Sequence, residues 1–234
     1  MLKLLSKPLA LLGTFLLFGA TVAAAADIAY GSPLKFAGEV ANFARIDAQQ
    51  PSEPGGVVVT GSSSVRMWRP RIQRDLPGIR VIPRGFGGSN MNDLFFYSEQ
   101  LISKYQPRAV AIYEGDNDIA QGIAPRQVAD KFLALGDKLR SENPDLRIYF
   151  IAIKPSLARW SLWPKMQQTN RLIEALCDER EGYFYIDVAG ALLENGRPKR
   201  DIFIGDGLHL NEKGYELWAE AVAAVLEKLE RGYE

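Results

Sequence analysis

Cysteine and histidine each occur once, as Cys177 and His209. One cysteine excludes an internal disulfide and any zinc site built on cysteines. Cys177 lies in an apparent helix and reads as a small core residue. One histidine excludes a histidine-rich metal site, and if the chemistry needs an imidazole base, His209 must supply it. An excess of either charge is also missing. The 28 Lys and Arg balance 28 Asp and Glu, so there is no global electrostatic case for nucleic acid or an anionic membrane as partner. The apolar stretch at 8–22 is shorter than the roughly 20 residues that cross a bilayer comfortably. Neither the Walker pattern nor Gly-x-Gly-x-x-Gly is present. No repeat, low-complexity tract or linker divides the 234 residues, a length that suits one α/β domain.

The first 26 residues read as a leader. Lys3 and Lys7 precede the apolar stretch, and Ala23-Ala24-Ala25-Ala26 supplies the small residues of a cleavage site. That is the layout of a secretory signal peptide cut after Ala26, with an uncleaved anchor as the competing reading. The expectation is an exported chain, periplasmic or secreted, with residues 27–234 as a single domain and no stable membrane insertion once the leader is gone.

Beyond the leader, short apolar runs alternate with amphipathic stretches. Strands are expected at 56–60, 79–82, 109–113, 146–153 and 183–186. Helices are expected at 34–50, 65–74 (interrupted by Pro70), 91–105, 125–143, 166–180 and 211–231, with 188–205 irregular. This alternation predicts a three-layer α/β/α sandwich around a five-stranded parallel sheet.

In such a sheet the C-terminal ends of the strands share one edge, where ligands bind. Four stretches carry unusual residues toward that edge. Gly61-Ser62-Ser63-Ser64 ends the first strand. Gly85-Phe86-Gly87-Gly88 has three glycines in four residues, which lets backbone N–H groups approach a ligand or simply makes a turn. Gly115-Asp116-Asn117-Asp118 could bind a divalent cation or cap a helix, and capping is the commoner use of such acids. Asp206-Gly207-Leu208-His209 places a carboxylate three residues ahead of the sole imidazole, where it can fix the ring tautomer. Together they hold a hydroxyl, a base, an orienting carboxylate and several donors for an oxyanion, the parts of acyl-transfer catalysis.

The order of these blocks departs from chymotrypsin, subtilisin and the Gly-x-Ser-x-Gly hydrolases. It resembles the SGNH hydrolases, or GDSL-type esterases and lipases, over residues from about 55 to 230. The resemblance implies a flavodoxin-like fold and hydrolysis of carboxylic esters without metal or other cofactor. It implies Ser63 as nucleophile, His209 as base and Asp206 as its partner. Ser63, Gly88 and Asn117 would form the oxyanion hole, and Asp116 and Asp118 would serve structure. Where the family has Asp in Gly-Asp-Ser, this chain has Ser62. Ser62 and Ser64 stay open as alternative nucleophiles.

Trp68, Arg84, Phe86, Arg159, Trp160 and Trp163 lie in or beside loops near the expected site edge. They are candidates for a substrate pocket and equally for the core. The expected partner is a small-molecule, lipid or glycan ester. Acyl transfer to an acceptor other than water, and a non-catalytic carbohydrate- or lipid-binding protein of the same fold, are the other readings.

Overall fold

The computed structural model describes residues 28–233; the expected leader at 1–26 lies outside them. Five parallel strands form the central sheet: β1 (Val57–Gly61), β2 (Val81–Gly85), β3 (Ala109–Tyr113), β4 (Arg147–Ile151) and β5 (Tyr183–Ile186). Their order is β2-β1-β3-β4-β5, that of the flavodoxin-like fold which the family resemblance implies. The helices are α1 (Ala37–Gln49), α2 (Ser63–Trp68), α3 (Ile72–Asp75), α4 (Met91–Phe96), α5 (Ser98–Leu101), α6 (Asp116–Ala120), α7 (Pro125–Glu142), α8 (Trp163–Asp178) and α9 (Glu212–Glu230).

The strands are apolar throughout because both faces of the sheet are covered. Alternate residues feed two cores. Val58, Val110, Ile112, Ile148 and Phe150 pack with the inner faces of α1, α4, α7 and α8. Val57, Val59, Ala111, Tyr149 and Ile151 pack with α2, α3 and α9, where Trp68 meets Trp218 edge-on at 6.1 Å.

Four local expectations change. Strand β2 begins at Val81, not at residue 79, and runs through Pro83. Proline has no N–H for a ladder, and β2 tolerates it as an edge strand. Helix α2 begins at Ser63 itself, two residues earlier than the apolar pattern indicates. The continuous helix expected at 91–105 is broken into α4, α5 and a 3₁₀ turn at Ser103–Tyr105. The breaks fall at Tyr97 and Ile102, whose backbone angles leave the helical region, and Leu101, Ile102 and Tyr105 are all buried. The irregular region 188–205 contains a small hairpin, β6 (Leu193–Glu194) and β7 (Arg197–Pro198).

Candidate active site

The order of strands reverses between β1 and β3, and the loops leaving these two strands face each other across a crevice. Gly61 makes the exit from β1 possible. Its φ is +136°, and a Cβ there would lie 2.0 Å from the Tyr113 carbonyl oxygen on β3. Ser62 donates its N–H to that carbonyl at 3.1 Å and is buried in extended conformation. Its carbonyl accepts the N–H groups of Val65 and Arg66, which starts α2 with Ser63 as the first helical residue. Ser64 is buried, and its carbonyl accepts the Tyr215 hydroxyl at 2.8 Å. The serine that meets the imidazole is Ser63, with Oγ 2.8 Å from His209 Nε2.

His209 is aimed from behind by Asp206, whose Oδ2 lies 2.6 Å from Nδ1. The other carboxylate oxygen accepts the N–H groups of Leu208 at 2.8 Å and His209 at 2.9 Å. Desolvation alone would raise the Asp206 pKa. The hydrogen bonds from the His209 ring and the two backbone N–H groups outweigh it and hold the carboxyl at about 2. A carboxylate against Nδ1 favours the tautomer with its proton there, leaving the Nε2 lone pair toward Ser63. The loop is fixed further by Lys154, which donates to the Leu208 carbonyl at 2.7 Å.

The glycine-dense loop after β2 sits opposite. Glu39 of α1 accepts the Gly87 N–H at 3.1 Å with each oxygen. Gly88 is exposed with φ +77°, and a Cβ there would touch nothing within 4 Å, so glycine is needed for the backbone angle alone. Asn117 on α6 donates one Nδ2 hydrogen to the Ser89 carbonyl at 2.8 Å. Its Oδ1 accepts from Arg159 Nη2 at 3.0 Å. The second Nδ2 hydrogen is left over, and the guanidinium on Oδ1 fixes which end of the amide faces which way.

Asp116 and Asp118 divide as structural groups. Asp118 accepts from Gly115 N at 3.1 Å, from Met91 N and from the Tyr30 hydroxyl at 3.0 Å. Burial lifts it to about 6 against those bonds. Asp116 is instead an ion-pair centre: Arg159 Nη1 at 2.7 Å, Lys154 at 3.8 Å and the Tyr113 hydroxyl at 3.4 Å. Burial pulls the Lys154 amine down, and Asp116 opposes it. Arg159 and Lys154, both from the loop after β4, thus join the Asn117 loop to the His209 loop. Arg159 was visible in the sequence only as a rim residue. Lys154 had one signal, a charge set directly after the apolar run 148–153.

The pocket candidates separate sharply. Trp68 is core, its indole N–H donating to Asp75 at 2.7 Å. Arg84 is buried on the Tyr105 hydroxyl, at 2.6 Å, and on Asp47. Phe86 is packed between Phe36 and Tyr97. Trp163 is buried and stacked on Trp160. Trp68, Arg84 and Phe86 are thus taken up by the core and by internal partners, while Trp163, though buried, also edges a cleft with Asn170, Tyr185 and Asp187. Trp160 is half-buried and lines a cleft of about 460 Å³ with Leu157, Arg197, Pro198 and Arg200.

A search of curated proteins finds no match. Solved structures share the fold at low identity. A GDSL-like lipase from Bacteroides thetaiotaomicron is 16% identical with a TM-score of 0.67, covering 84% of this chain and 98% of that one. The lipase/acylhydrolase from Enterococcus faecalis is 18% identical with a TM-score of 0.62, covering 74% and 96%. A carbohydrate esterase family 3 protein from Talaromyces cellulolyticus is 18% identical with a TM-score of 0.64, covering 77% and 100%. The model of the GDSL-like lipase/acylhydrolase family matches residues 51–217, from just before β1 into α9. That span takes in all four loops of the crevice, and with it the chain belongs to the GDSL-like lipase/acylhydrolase family, a family of ester hydrolases.

Proposed function

We propose that this ester hydrolase works through Ser63, His209 and Asp206, with the Ser63 N–H, the Gly88 N–H and the Asn117 amide as the oxyanion hole. The observation that carries the reading is the hydrogen-bond relay Asp206–His209–Ser63, at 2.6 and 2.8 Å. Ser63 Oγ attacks the ester carbonyl carbon as His209 Nε2 takes its proton. The carbonyl oxygen becomes an oxyanion, met by the three donors. Collapse breaks the bond to the alcohol, which leaves with the proton from Nε2. Water then enters by the same path, giving its proton to His209 and releasing the acid and Ser63. Asp206 stays ionised throughout and stabilises the imidazolium.

Ser62, in place of the family's Asp, does not disturb this reading. It contributes through its backbone, as the extended residue before α2, and Ser63 still reaches His209. The leader pattern at 1–26 supports export of the domain to the periplasm or the medium.

The test is hydrolysis of 4-nitrophenyl acetate by the wild type beside Ser63→Ala and His209→Ala. Both variants are expected to lose activity by at least about a thousandfold, with unchanged circular dichroism. Undiminished turnover in Ser63→Ala would move the nucleophile elsewhere. Product analysis with added alcohols or sugars separates hydrolysis from acyl transfer.

A further inference from the structure

The crevice has a charged annex. The loop 157–160 bridges its two halves: Arg159 reaches Asn117 on one side, and Ala158 N–H donates to the Gly207 carbonyl at 3.0 Å on the other. Leu157 lies against Gly207, within the Asp206–His209 turn, and is 40% exposed. Beyond Leu157 the surface falls into the cleft of about 460 Å³ shared with Trp160, Arg197, Pro198 and Arg200.

Both arginines are exposed, and neither has an ion-pair partner among the described residues. Nearby polar groups are otherwise engaged. Asp201 is held by Lys213, and Lys199 Nζ donates to the Ala191 carbonyl at 2.9 Å. Glu194 stands opposite Arg197 in the hairpin without forming an ion pair with it. Arg197 is not a wandering surface cation. Its guanidinium lies over the Trp160 ring, 5.7 Å from the centroid, and the same ring stacks on Trp163 at 6.1 Å. The Asn195-Gly196 turn, with φ of +50° and +72°, holds the hairpin that carries it. A placed guanidinium beside a second unpaired one is a receptor for a carboxylate or phosphate.

The position of the cleft decides which part of the ester would carry that anion. The leaving alcohol must receive its proton from His209, so the alcohol portion lies on the side of the His209 loop. The cleft adjoins that loop through Leu157 and Gly207. We propose that Arg197 and Arg200 bind a carboxylate or phosphate carried by the alcohol portion of the ester, making this enzyme selective for acyl esters of anionic alcohols. The proposal rests on the assignment of Ser63 and His209 above.

The experiment compares kcat/KM for 4-acetoxybenzoate, 4-acetoxyphenyl phosphate and neutral 4-acetoxybenzamide, in wild type and in the double variant Arg197→Gln, Arg200→Gln. Wild type is expected to favour at least one anionic ester over the amide by about tenfold at low salt. The preference should shrink in 0.5 M NaCl, because exposed charges are screened. The double variant should lose it through KM while turning over the amide normally. The better of the two anions identifies the group bound. No anionic preference in wild type, or an equal fall for all three esters in the variant, would overturn the proposal. So would a preference seen instead for an anionic acyl group, read as 4-nitrophenyl hemisuccinate against 4-nitrophenyl butyrate. Failure of the catalytic assignment is separate: it shows as hydrolysis of 4-acetoxybenzamide by Ser63→Ala.

Discussion

Asn117 is the residue whose surroundings say most about its task. An amide suits an oxyanion because it donates without carrying a charge, and here Arg159 and Ser89 leave it one hydrogen to offer. Asn117→Asp puts an acceptor in that place. It is expected to cut kcat by about a hundredfold or more, since one oxyanion donor is typically worth ~3 kcal/mol; normal turnover would remove Asn117 from the hole. Arg159→Ala is expected to lower kcat by about tenfold or more with little change in KM, from loss of a charged hydrogen bond worth about 1.5–3 kcal/mol. Partial rescue by added guanidinium at low concentration would distinguish loss of the amide's partner from a misfolded loop. Glu114 presents the opposite case. It is fully buried, and burial together with Asp118 raises its carboxyl well above the ordinary range. A neutral acid can donate to Ser89 Oγ at 2.5 Å, while Ser89 donates to the Phe86 carbonyl at 3.2 Å. Glu114→Gln keeps a donor in place, so stability and turnover near neutral pH should stay close to wild type. A carboxyl raised on folding weakens the native state as pH climbs through its window, and the variant should lose that slope in pH-dependent melting.

At the scale of elements, the last helix is tied to the far edge of the sheet. Glu230 of α9 is fully buried and accepts from Arg108 at 3.0 Å, from Arg147 at 2.6 and 2.7 Å, and from the Tyr149 hydroxyl. Desolvation opposes its charge, but these donors prevail and its pKa is lowered. The sign is opposite to that of Glu114. Glu230 stabilises the fold above its unfolded pKa, and the contribution is lost as pH falls through the lowered value. Glu230→Gln should destabilise by about 3–5 kcal/mol at neutral pH, with the deficit narrowing in acid, and leave KM unchanged because the site lies at the other edge. Chemical denaturation at two pH values measures this. Elements were legible in the sequence wherever an apolar run had one period. The strands β1 and β3 and the helices α7 and α9 stand within a residue or two of expectation. The hairpin of β6 and β7 was missed although Asn195-Gly196 carries its signal, because its strands are only two residues long and show no alternation. The start of α2 was missed because serines carry no periodicity; the backbone reversal at Gly61 sets it.

At the scale of the whole molecule, the fold brings together four loops from far along the chain, Ser63 and His209 being 146 residues apart. Ser63, Gly88, Asn117, Asp206 and His209, the site proposed above, come from the family's block pattern, and the structure adds the contacts of His209 with Ser63 and Asp206. The pocket could not be named from sequence. An aromatic or arginine beside a loop looks the same in sequence whether it faces solvent or core, and Trp68, Arg84, Phe86 and Trp163 turned inward. The same holds for Arg159 and Lys154, whose roles depend on distances across loops. The acidic loop is committed to Arg159, Lys154 and backbone N–H groups. EDTA is therefore expected to leave 4-nitrophenyl acetate hydrolysis unchanged; loss of activity restored by Mg²⁺ or Ca²⁺ would make that loop a metal site. No helix among the described residues is long and apolar enough to cross a membrane. The central claim is that Ser63 is the activated hydroxyl. Treating the enzyme with a fluorophosphonate and mapping the adduct by peptide mass spectrometry tests it most directly. The account predicts one adduct, on Ser63, absent from His209→Ala; an adduct on Ser62 or Ser64, or labelling that survives loss of His209, would contradict it.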